Sequence, residues 1–130
     1  MILQTTLTLA AAAVLINLWI FIRIVRLRAA ERIVHGDGGH PLLMRRMRAH
    51  ANFTENAPLL LVLVGAIELS GKGGRWLAIV GAVFMIARLA HVIGMDSPKA
   101  NPVRAAGTVA SLATLLGLAA MAVLIALERF

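Results

Sequence analysis

The chain has 130 residues, 60% of them hydrophobic, with a mean hydropathy of +0.86, a formal charge of +7 and no cysteine. Soluble domains are about 45–50% apolar, so a single domain of this length carries more apolar surface than a water-facing fold could hide. The missing cysteine excludes disulfides, thiolate metal sites and a cysteine nucleophile. The basic residues lie between apolar runs, which assigns them to membrane topology and lipid headgroups rather than to nucleic acid.

The first apolar run, Met1 to Ile22, contains no Lys, Arg, Asp or Glu. As a helix it would be about 33 Å long, enough to cross the hydrocarbon. Nothing basic precedes Arg23, so the run reads as a retained span rather than a signal peptide. A hydrophilic stretch follows to His50. Its centre, His35 to Pro41, contains three glycines and predicts a loop. The flanks, Ile24 to Val34 and Leu42 to His50, read as helical extensions of the neighbouring spans. Asp37 reads as a turn residue, and His35 and His40 as solvated. The second span runs from about Ala49 to Leu69, with Pro58 predicting a kink or a local break. Ser70 to Gly74 is a tight turn. The third span, Trp76 to about Met95, is interrupted by Arg88 and His91. Asp96 to Pro102 is a proline-bounded loop, and the fourth span runs from about Val103 to Leu127. The pattern is one all-α domain, residues 1–130, a membrane bundle of four helices.

Nine Lys and Arg lie in the first and third loops, and three lie on the opposite side. That asymmetry predicts both termini outside, with the first and third loops in the cytoplasm. Small residues four apart, Ala78 and Ala82, Gly107 and Ser111, and Ala113 and Gly117, predict close helix contacts. Asn17, Thr108, Ser111 and Thr114 read as groups bonded between helices or back to their own backbone.

Ionisable groups inside a span are costly and mark function by default. Arg45, Arg48, Asn52 and Glu55 follow steps of three, four and three residues, which keeps them on one stripe of the second helix. Arg88 and His91 share a face of the third. Arg104 opens the fourth helix, and Arg26 leaves the first, on the same side of the membrane. Several guanidinium groups, one carboxylate and one carboxamide suit a small zwitterion with excess negative charge. A guanidinium beside a thiol would favour the thiolate. These groups do not by themselves select glutathione over another small anion. An internal salt bridge or a lipid-headgroup site in a non-catalytic membrane protein is the alternative. The lack of an acidic residue in the first span argues against a small multidrug exporter.

The segment Arg48-Ala49-His50-Ala51-Asn52-Phe53-Thr54-Glu55-Asn56-Ala57-Pro58-Leu59 resembles the signature of the MAPEG family, membrane-associated proteins in eicosanoid and glutathione metabolism. Gly36-Asp37-Gly38-Gly39 and Arg88-Leu89-Ala90-His91 match its bacterial branch. The resemblance implies a homotrimer of left-handed four-helix bundles in a bacterial inner membrane. It implies glutathione as co-substrate, bound without a metal between neighbouring subunits, and a lipophilic electrophile or hydroperoxide as second substrate. By the same resemblance Arg26, Arg48, Asn52, Glu55, His91 and Arg104 form the glutathione site, and Arg104 stabilises the thiolate. Arg88 is expected to pair with Glu55. The chain departs from the family in having Ala51 and Met95 where an arginine and a tyrosine are frequent, Asn56 in place of a tyrosine, and no tyrosine at all.

Overall fold

Each apolar run becomes one helix, because a backbone in lipid must satisfy its polar groups within its own segment. The computed structural model describes residues 1–130 as α1 (Gln4–Glu31), α2 (Pro41–Leu69), α3 (Arg75–Gly94) and α4 (Pro102–Ala126). All four are long and apolar enough to cross a membrane. At about 1.5 Å per residue, α2 reaches about 43 Å, longer than a hydrocarbon core of about 30 Å. The helical extensions expected around the first loop are therefore continuous with α1 and α2. Pro58 removes the donor that Thr54 would have received, yet α2 continues through it unbroken.

The core lies along one seam of each helix. On α1 it is Leu9, Ala13, Ile16, Ile20 and Ile24. On α2 it includes Phe53, Ala57, Leu60, Val64 and Ile67, and on α3 Leu77, Phe84, Met85 and Val92. The steps of three and four residues keep each seam on one face. The closest pairings are α3 with α4 and α1 with α2, while α1 and α4 do not meet. Only Gly107, Ser111 and Leu118 are buried on α4.

Polar ties fix the two ends. At one end Glu68 of α2 accepts from the amides of Thr5 and Thr6, at 2.7 and 2.8 Å, and from Thr6 Oγ1 at 2.6 Å. These are free donors of the first turn of α1, so a carboxylate from another helix completes the cap. At the arginine-rich end Asp96, just after α3, receives Arg23 of α1 and Arg46 of α2. Arg46 spans both carboxylate oxygens at 3.2 Å, and its Nη1 donates to the Arg23 carbonyl at 3.3 Å. The first and third loops therefore share one end of the bundle. Midway, His50 Nε2 lies 2.9 Å from Asn17 Oδ1, the helix-to-helix role expected of Asn17.

Asp37 does form a turn, its Oδ1 accepting from the Gly39 amide at 2.9 Å. His40 has a role not read from the sequence. Its Nδ1 accepts from the Leu43 amide at 3.3 Å and caps the start of α2. Of the three small-residue pairs, Gly107 and Ser111 are buried against α3, whereas Ala78, Ala82, Ala113 and Gly117 are exposed on the single chain.

Candidate functional site

Two glycines bring α3 and α4 together. A Cβ on Gly107 would lie 2.6 Å from the Ala87 carbonyl oxygen and 2.7 Å from the His91 amide nitrogen. A Cβ on Gly94 would lie 2.6 Å from the Arg104 amide nitrogen. Both contacts are closer than a side chain tolerates, so the helices approach at a distance that only glycine permits. Asn101 completes the corner. Its Nδ2 donates to the Gly94 carbonyl at 2.8 Å, and its Oδ1 accepts from the Arg104 amide at 2.9 Å as the cap of α4. The end of α3 and the first turn of α4 are thereby locked, and Arg104 projects from a fixed backbone.

The buried centre of this region is Arg88, whose residue is 3% exposed. Nε donates to Ser111 Oγ at 2.8 Å, Nη2 to the Gly107 carbonyl at 3.3 Å, and Nη1 to Asn52 Oδ1. Ser111 Oγ in turn donates to the Gly107 carbonyl at 2.6 Å. The ring of Phe84 lies 5.8 Å from the guanidinium carbon. Every one of these partners is neutral.

The expected pairing of Arg88 with Glu55 is not made. Glu55 is exposed on the outer face of α2 and forms no ion pair or hydrogen bond within the chain. The reason is angular. Asn52 and Glu55 are three residues apart, about 300° around the helix, and the bundle seam runs on the Asn52 side. The proposed stripe of α2 is therefore split. Asn52 faces α3, Arg45 is half-buried with its Nε unpartnered, and Arg48 and Glu55 face outward.

His91 is 7% exposed, and its buried Nδ1 has no partner. It lies one turn from Arg88, with its backbone against Gly107. Arg104 is half-buried, and its guanidinium makes no bond within the chain. Arg26 is exposed and unpaired. The fold thus gathers Asn52, Arg88, His91 and Arg104 at the α2–α3–α4 junction. It leaves Arg26, Arg48 and Glu55 on the surface of the single chain. Gly107 meets α3 as its small-residue spacing with Ser111 predicts, whereas the parts played by Asn101 and Gly94 were not read from the sequence. An Asn-Pro pair at a helix start was the available signal for Asn101.

The chain is 37% identical over 71 residues to the inner membrane protein YecN of Escherichia coli K12, a match covering 55% of this chain and 54% of that protein. The same values hold for YecN of Escherichia coli O6:H1. The match spans about half the length of these curated relatives. A family model described as the MAPEG family matches residues 6–124, from the first turn of α1 to the last of α4. With that match running through all four helices and the junction they build, the chain belongs to the MAPEG family.

Proposed function

We propose that this protein is an inner-membrane glutathione transferase or peroxidase that acts as a homotrimer on lipophilic electrophiles or hydroperoxides. One observation carries the reading. Arg88 is a buried guanidinium held only by neutral acceptors, beside the unpartnered His91 Nδ1 and the unpaired Arg104. Removing an ion from water costs several kcal/mol unless an opposite charge compensates it. A bound anion at this junction supplies that charge.

The outward position of Glu55 supports the intersubunit site. A charged side chain facing lipid costs about 3 kcal/mol on insertion scales. A neighbouring copy laid on that face of α2 would shield Glu55 and Arg48 and bring another chain's arginines to them. Glutathione has two carboxylates, one ammonium, two peptide bonds and a thiol. Arginines grip its carboxylates, Glu55 receives its ammonium and Asn52 pairs with a peptide group. Arg104 faces the thiol and favours the thiolate, which attacks an electrophilic carbon with formation of a C–S bond and departure of the leaving group. The bilayer concentrates the apolar partner beside this polar nucleophile. The name of the YecN relatives supports an inner-membrane location, and the loop charges support a cytoplasmic placement of the arginine-rich end.

The lack of any tyrosine favours a second reading, in which the junction binds another small anion or a lipid headgroup without activating a thiol. Titrating the purified protein with glutathione separates the two. An ultraviolet thiolate band with saturable binding is expected. Binding with no band, or no glutathione binding at all, defeats the first reading and leaves the second.

A further inference from the structure

A cavity of about 790 Å³ lies at the end of the bundle opposite Arg104, between the start of α1, the end of α2 and the start of α3. None of the candidate glutathione residues lines it. Its volume falls within the range of small-molecule sites, about 300–1,000 Å³. Its lining changes character with depth. Arg75, Gln4 and Thr5 stand at the mouth, at the helix ends. Ala78, Ala82 and Leu9 form the floor, with Ala82 about 10 Å deeper than Arg75 along α3. Met1 and Ile2 also line the helix-end part and Thr8 the inner part, so the mouth is mixed in character and the inner wall mostly apolar.

We propose that this cavity is a binding site for one anionic phospholipid, with its phosphate at Arg75 and the upper part of an acyl chain over Ala78 and Ala82. Three observations support it. Arg75 makes no ion pair and no side-chain hydrogen bond, so its charge is free at the mouth. Glu68, the acid in the lining, does not compete for it. Both Glu68 oxygens are occupied by the first turn of α1, whose amide dipoles offset the carboxylate charge. The floor is open because Ala78 and Ala82 are short, and Leu9 lies back against Gly81 within it, where an added Cβ would lie 2.2 Å from Leu9 Cδ1. A guanidinium that pairs with a phosphate, above an apolar slot at membrane depth, has the shape of a headgroup followed by its chain.

The test is native mass spectrometry of the full chain in detergent, titrated with dioleoylphosphatidylglycerol and, as a headgroup-free control, dioleoylglycerol. Arg75→Gln should weaken the phosphatidylglycerol adduct about fivefold, the contribution of one arginine near an anionic headgroup, and leave the diacylglycerol adduct unchanged. Ala82→Trp fills the floor and should abolish both adducts. Unaltered phosphatidylglycerol binding in both variants overturns the proposal. The cysteine-free chain permits a second arm. Ala78→Cys in native membranes should give no cross-link between copies with a short bifunctional maleimide. Efficient cross-linking would mean that a second copy fills the cavity, and would overturn the lipid assignment.

Discussion

Asn52 Oδ1 accepts a hydrogen bond from Arg88 Nη1, joining α2 to α3 within the membrane-spanning part of the bundle. It is the only polar side-chain bond between these two helices, and it spends the carboxamide on a cation that has no acid of its own. Asn52→Leu should therefore destabilise the protein by about 1–3 kcal/mol, the penalty for a buried donor left unpaired. Arg88→Met in the same background should recover part of that loss, because the orphaned charge is gone. Reversible unfolding in mixed micelles measures the cycle, and simple additivity of the two changes would contradict the coupling.

Gly107 and Gly117 sit on the same helix in opposite circumstances. A Cβ on Gly107 strikes α3 backbone, while one on Gly117 meets nothing within 4 Å. Gly107→Ala should cost about 1–3 kcal/mol through overpacking and should displace Ser111 and Arg88. Gly117→Ala should be neutral or slightly stabilising. Comparable effects of the two substitutions on thermal unfolding would show that α3 and α4 do not approach at Gly107.

Asp96 joins three segments through Arg23 and Arg46, but all three side chains are partly exposed, at 17–30%. Solvent screens such pairs, so Asp96→Asn should cost only about 1 kcal/mol. The difference from the parent should shrink as salt is raised, and a salt-independent loss would point to packing instead.

Glu55 and Arg104 have no partner within the chain, so truncating either leaves the single bundle intact. Glu55→Ala and Arg104→Ala should each weaken glutathione binding by tenfold or more, the worth of one charge-assisted contact of about 1.5–3 kcal/mol. The proposed trimer should persist on size-exclusion chromatography. Unchanged calorimetric affinity in both variants would remove the basis of the proposed site.

The amino-acid sequence by itself determined four spans, their up-and-down order and the concentration of charge at one end. Those properties follow from segment length, apolar runs and loop composition, which are local and additive along the chain. It also placed Arg88, His91 and Asn52 among the residues of interest, since a charge within an apolar run is conspicuous wherever it packs. Only the tertiary structure decided which partners those groups take. A three-residue step on α2 turned Asn52 toward Arg88 and Glu55 away from it. Two glycines set the separation of α3 and α4, and Asn101 fixed the start of Arg104's helix. Partner choice depends on helix rotation and approach to within about an ångström, and these are properties of surfaces in contact that no single segment encodes.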